Sequence, residues 1–182
     1  MIDLTKALYN QFEPKKRVPG RYNASELYGI VKGYVSAREY LRQEKPDTLS
    51  CFRMWQGRWK HSQVQELLGP LGYTIEPKVE FAYKDIILVG KADAIKENGM
   101  EIKTSNEVLD RAKDWHRFQA KLYCTMFQKE TWQIVQPVVT KNRVGLKIIG
   151  RVERDDQWFQ EQLETLYQFH LEVKKQHGME KN

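Results

Sequence analysis

The chain has 182 residues, enough to bury one core and suited to one domain. Hydrophobic residues make up 41% and aromatics 12%, which excludes a wholly disordered chain. No run of about 18 apolar residues is present, so no membrane-spanning helix is expected, and the net charge of +6 favours a polyanionic partner.

Residues 1–6 lack the apolar centre of a signal peptide, so an intracellular protein, cytoplasmic or nucleoid-associated, is expected. Pro14, Pro19 and Gly20 break up residues 1–22, which read as an irregular arm. Lys15, Lys16, Arg17 and Arg21 make that arm basic, a candidate phosphate contact with a solvated tail as the alternative. A single domain is expected over 23–177, followed by a short tail over 178–182.

Leu27, Ile30, Val31, Tyr34 and Leu41 recur at helical spacing and predict a helix over 25–44. A second helix is predicted over 48–69, with Phe52, Trp55, Trp59, Val64, Leu67 and Leu68 as a broad apolar face. The period then becomes two. Residues 73–83 read as a strand that Pro77 places at an edge or a bulge, and 86–93 read as a more buried strand. Asn98-Gly99 signals a turn, and 100–104 form the next strand.

A third helix is predicted over 106–128, capped by Ser105 or Asn106. Ala112, Trp115, Gln119, Leu122, Tyr123 and Met126 share one face of it. Gln119 and Tyr123 are the polar members of that stripe, so a polar partner must lie before them. Residues 131–140 and 143–152 form a hairpin. A last helix follows, capped by Asp155 or Asp156 and fraying from Gln176. The expected fold class is α/β, a central mixed sheet flanked by helices.

The chemistry concentrates in residues 90–104. Glu101 and Lys103 are two apart on one strand and share a face. With Asp93 they gather two carboxylates and an ammonium, costly to bury unpaired. A divalent metal is the natural partner for the acids. It would polarise a phosphate and acidify water, and Lys103 would orient or deprotonate that water or offset developing charge. Ile102 points to the core, and its carbonyl is within reach of the metal. A two-residue turn at Asn98-Gly99 would turn Asp93 away from Glu101. A three-residue loop over 97–99 pairs Asp93 with Lys103 and puts all three on one face, with Gly99 left-handed.

Two cysteines, Cys51 and Cys124, lie far apart without Cys-x-x-Cys spacing. They cannot build a four-thiolate zinc or iron–sulfur site, and reduced thiols are expected.

The set Ser25-Glu26-Leu27, Gly57-Arg58-Trp59-Lys60-His61, Glu80, Gly90-Lys91-Ala92-Asp93, Glu101-Ile102-Lys103 and Gln119-Ala120-Lys121-Leu122-Tyr123 resembles the PD-(D/E)XK nuclease superfamily, in its RecB-type branch with the CRISPR-associated exonucleases. Order and spacing match over about 22–128. The resemblance implies a restriction-endonuclease-like core and a Mg²⁺-dependent nuclease, Mn²⁺ substituting. It implies His61, Asp93, Glu101 and the Ile102 carbonyl as metal ligands and Lys103 as the catalytic lysine. Gln119 and Tyr123 would position Lys103 and the scissile strand, and DNA would be the partner. Arg58 and Lys60 join the basic arm as candidate DNA contacts.

Many such relatives carry an iron–sulfur cluster on four cysteines. Here Ile30 stands at the first position and the C-terminal three are absent, so a cluster-free nuclease is expected. An exonuclease in DNA processing, repair, recombination or viral DNA metabolism is the leading expectation. A structure- or sequence-specific endonuclease on the same core, a non-catalytic DNA-binding module and an RNA-directed nuclease are the alternatives.

Overall fold

The protein is described here as a computed structural model covering residues 3, 5–12, 17–42, 44, 46–105 and 107–179. Lys15, Lys16 and Asn106, named above, lie outside the described residues. The helices are α1 (Thr5–Asn10), α2 (Ala24–Val31), α3 (Ala37–Arg42), α4 (Thr48–Leu68), α5 (Asp114–Met126) and α6 (Asp156–Met179). The strands are β1 (Arg21–Asn23), β2 (Thr74–Ile75), β3 (Lys78–Tyr83), β4 (Ile86–Lys91), β5 (Ala94–Ile95), β6 (Gly99–Ile102), β7 (Thr131–Thr140) and β8 (Arg143–Glu153). No helix among the described residues is long and apolar enough to cross a membrane.

The fold is the expected α/β arrangement, mixed sheet flanked by helices, but the strands divide into two segments. One is ordered β1-β4-β3 and the other β2-β5-β6-β7-β8. The β1–β4 and β6–β7 pairs are parallel and the others antiparallel. A single hairpin joins the segments. Its register runs unbroken from Tyr83↔Ile86 to Thr74↔Ile95, bridged by the Ala92 N–H donating to the Pro77 carbonyl (3.0 Å) and the Glu76 N–H to the Asp93 carbonyl (3.2 Å). Pro77 and Glu76, the latter at φ 52°, bend the hairpin there. Asp93 therefore sits at the fork where the sheet splits.

Two apolar clusters cover the sheet. The larger holds Tyr22, Leu27, Leu88, Leu122, Trp132, Phe159, Leu163 and Leu166. The smaller sets Leu68 of α4 against Ala94, Met100, Ile102 and Val135. Ile102 is 3% exposed, in the core as its alternation requires.

Three predicted elements are corrected. The arm is not wholly irregular: α1 packs on α4, and β1 joins the smaller segment. The helix predicted over 25–44 is two helices, because Gly33 takes φ 69° and ends α2. Ser36 and Glu39 then bond reciprocally, each backbone N–H to the other's side chain (2.8 and 3.2 Å), and start α3. The helix predicted over 106–128 begins at Asp114. Buried Gln136 accepts from the Leu109 N–H (2.7 Å) and donates to the Glu107 carbonyl (2.6 Å), which holds that stretch extended. At the C-terminus, α6 runs to Met179.

Only part of the face predicted for α4 turns inward: Leu68 is buried and Val64 packs against the smaller cluster. Phe52, Trp55, Trp59 and Leu67 are exposed, while Cys51, Gln65 and Leu68 are buried. The sheet takes the side that carries Gly57 and His61. Both cysteines are free and buried.

Candidate active site

The β5–β6 loop has an odd number of residues, as the shared face requires, but its register is offset from the one predicted. Ala94 pairs with Met100 and Ile95 with Gly99, so the loop is residues 96–98. Continued by one residue, this register sets Asp93 across from Glu101 rather than Lys103. The ladder opens there, and the Ile102 N–H donates to Asp93 Oδ2 at 2.6 Å instead. Gly99 is not the left-handed residue of the loop. It lies inside β6 beside Trp132, where an added Cβ would stand 2.0 Å from the indole. The Trp132 ring, not the turn, demands glycine.

Four predicted residues form one chain of contacts. Lys103 Nζ donates to Glu101 Oε1 (2.6 Å) and to Gln119 Oε1 (3.1 Å), and Gln119 Nε2 donates to the Tyr123 hydroxyl (3.0 Å). This is the partner that the polar pair on the α5 stripe demanded. On the other side, α4 brings His61 Nε2 to 3.1 Å from Asp93 Oδ2 as an ion-pair contact. The ring nitrogen is not aligned for a directed hydrogen bond. The Thr104 hydroxyl donates to the Gly57 carbonyl (3.4 Å), tying that turn of α4 to the end of β6.

The electrostatics follow from burial. Glu101 is 3% exposed. Burial, then the charge of Asp93, pushes its carboxyl up to about 7, against the pull of Lys103 and His61. Burial favours neutral His61, but Asp93 and then Glu101 outweigh it and raise its pKa. Tyr123 is raised by burial and stays a phenol. His116, beneath the start of α5, is lowered to about 4 by burial and by the charges of Lys103 and Lys113, so it is neutral.

His61 Nε2 and Glu101 Oε2 are buried with no hydrogen-bond partner among the described residues. An imidazole nitrogen and a carboxylate oxygen left in this state are donor types that a divalent cation takes. Among the described residues no three His, Cys, Asp or Glu side chains already form a cage. The donor atoms fit a metal, while Lys103 holds the second oxygen of Glu101.

The basic candidates are dispersed. Arg17 pairs with Glu26 and lies over the Tyr40 ring, 4.2 Å from its centroid. Arg21 pairs with Glu80 on the surface, which also accounts for Glu80. Arg58 lies over Phe12 (4.4 Å) while lining a cavity of about 490 Å³ above His61 and Asp93. Lys60 lines a smaller cavity with Arg53 and Thr104. Two further residues reach the site. Gln65, one helical turn after His61, donates to the Asp93 carbonyl (3.1 Å). Glu76 and Lys91, paired at 2.5 Å, line the His61 cavity. A buried glutamine four residues beyond His61 was a readable signal for the first; the bend at Pro77 hid the second.

No known family's sequence pattern matches the chain, and no curated protein matches it. Solved structures do. The alkaline exonuclease LHK-Exo from Laribacter hongkongensis superposes with a TM-score of 0.60 at 13% identity, over 97% of this chain and 96% of that one. Its complex with dAMP gives 0.63 at 14% identity, over 94% of each. A phage-related exonuclease from Haemophilus somnus 129PT gives 0.56 at 11% identity, over 87% and 96%. A protein designated SSO0001 gives 0.60 at 19% identity, over 90% and 84%. At such identities these likenesses establish the shared fold.

Proposed function

We propose that the protein is a metal-dependent DNA nuclease of the PD-(D/E)XK type, an exonuclease of the RecB-type branch without an iron–sulfur cluster. One observation carries the reading: two buried donor atoms, His61 Nε2 and Glu101 Oε2, accept or donate no hydrogen bond among the described residues, beside Asp93 and an oriented lysine. The exonuclease names of proteins with the same fold support it, and the dAMP complex of one supports a nucleotide substrate.

His61, Asp93, Glu101 and the Ile102 carbonyl would hold Mg²⁺ or Mn²⁺. When bound, the metal supplies a polarised phosphate and an acidified water. The chain's own residues do the rest. Asp93 is oriented by the Ile102 N–H, and its main chain is fixed by Gln65. An ammonium has three donors. Lys103 spends two on Glu101 and Gln119, leaving one for a phosphate oxygen or the attacking water. Gln119 gives its amide proton to the Tyr123 oxygen, so the Tyr123 proton is free to donate.

The test is end-labelled DNA, single- and double-stranded, linear and circular, with Mg²⁺ or Mn²⁺. Degradation of linear DNA is expected, lost in Glu101→Ala and in Lys103→Ala while DNA binding persists. Cleavage of circles would assign endonuclease action instead. Folded protein that cuts no DNA in either metal defeats the reading.

A further inference from the structure

Trp115 lies in the first turn of α5, four residues before Gln119. Residues four apart on a helix stand one above the other. The face that presents Gln119 and Tyr123 to Lys103 therefore continues outward as the Trp115 indole, which is 45% exposed. The helical rise between the two positions is about 6 Å, near two nucleotide steps of about 3.4 Å.

The indole borders a cavity of about 670 Å³ shared with Tyr28, Arg111, Lys113, Asp114 and Arg117. Tyr28 comes from α2, so two elements contribute aromatic rings. Lys113 Nζ stands 4.9 Å from the indole centroid. Arg111 and Arg117 are exposed and take part in no ion pair among the described residues. Two acids also line the cavity. Asp110 already faces Lys147 Nζ at 3.4 Å, and Asp114 takes part in no ion pair among the described residues. The three cations of the wall thus outnumber the acids.

An exposed tryptophan alone means little. Trp59 is exposed too. It is two residues from His61, which puts it on the far side of α4 from the site. Trp115 differs because it shares a helical face with the groups that hold Lys103 and stands beside two exposed guanidinium groups that form no ion pair among the described residues.

We propose that this cavity is the approach of a single DNA strand to the site. The Trp115 indole stacks on a base within about two nucleotides of the scissile phosphate, and Arg111, Lys113 and Arg117 contact the neighbouring phosphates. An indole stacks on a base only when that base is out of its duplex, so the substrate class is single-stranded DNA or an unpaired overhang rather than a blunt duplex. The inference rests on the nuclease reading for the identity of the reacting phosphate.

Binding of a dye-labelled 12-mer, single-stranded or in a blunt duplex, is measured by polarisation with the full chain in EDTA, so that no turnover intervenes. The single strand is expected to bind more tightly and to quench tryptophan fluorescence. Trp115→Ala weakens it about tenfold or more, Trp115→Phe retains most of the affinity, and Trp59→Ala leaves it unchanged, all with unaltered melting temperature. Equal affinity of wild type and Trp115→Ala overturns the proposal, as does a preference for blunt duplex or no binding by folded wild type. Mg²⁺-dependent cleavage with the same strand preference in wild type and Trp115→Ala removes this inference alone. Single-strand binding without any cleavage removes the nuclease reading and leaves the strand path standing.

Discussion

The two halves of the site differ in how completely they are satisfied. On the α5 side, Lys103, Gln119 and Tyr123 form a continuous series of hydrogen bonds. On the α4 side, His61 Nε2 and Glu101 Oε2 are buried without one. The first half is ordered before any ligand arrives, because each group fixes the next. The second half carries buried donor atoms that no hydrogen bond satisfies among the described residues, a cost that a fold retains where a ligand will occupy them. The contrast separates positioning from binding within a few ångströms.

The unsatisfied half is the place to break this comparison hardest. Asp93→Ala or Glu101→Ala is expected to lower Mg²⁺-dependent cleavage by about a thousandfold or more, as loss of a metal worth several kcal/mol requires. Calorimetric titration with Mn²⁺ should show the affinity lost in the same variants. Undiminished Mn²⁺ binding by Glu101→Ala would remove that oxygen from the ligand set. In the ordered half, Lys103→Ala should cost about 10² to 10⁴ in kcat, with metal affinity retained.

Gln119→Ala acts through Lys103 and should cost about 10- to 100-fold. It should leave Mn²⁺ affinity close to that of wild type. If the variant loses metal binding as fully as Glu101→Ala does, the two halves are not separable.

The pH dependence of metal-free stability sharpens the contrast further. The folded pKa of Glu101 is raised, to about 7 from 4.5. Its stabilising contribution is therefore full below about 4.5 and lost as pH rises through about 7. In EDTA the protein should melt lower at pH 8 than at pH 5.5 on this account. Glu101→Gln removes the buried charge and should stabilise the metal-free protein at pH 8 by about 1–3 kcal/mol while abolishing cleavage. Thermal melts with and without Mg²⁺ check both signs. A Glu101→Gln variant less stable than wild type at pH 8 would mean that the Lys103 pair outweighs the burial.

The smallest effect is expected away from the site. Cys124 is buried and its thiol is pushed up to about 12 by burial. The native protein at pH 8 should leave it unalkylated by iodoacetamide, with mass spectrometry as the readout.

Much of the site was legible because local periodicity carries it. Glu101 and Lys103 share a face because strand side chains alternate, whatever the strand packs against. Gln119 and Tyr123 stood out as polar residues four apart in an apolar helical stripe, and the structure sets Lys103 before them. The odd loop followed from the need to put Asp93 and Glu101 on one face. The loop's register did not follow, because Trp132 on a neighbouring strand decides where glycine must stand.

The sequence by itself thus determined the strand and helix types, the charged hairpin and the polar pair, all set by periods of two and 3.6 residues. Only the tertiary structure decided which face of α4 turns inward. An amphipathic reading put Phe52, Trp55 and Trp59 on the inward face with Val64 and Leu68, but the sheet takes the side with Gly57, His61 and Leu68, since Thr104 and Asp93 meet the helix there. It also decided that α5 begins eight residues late, because buried Gln136 claims the backbone before it. Pairings between residues distant in the chain depend on what each surface meets, which no local pattern encodes.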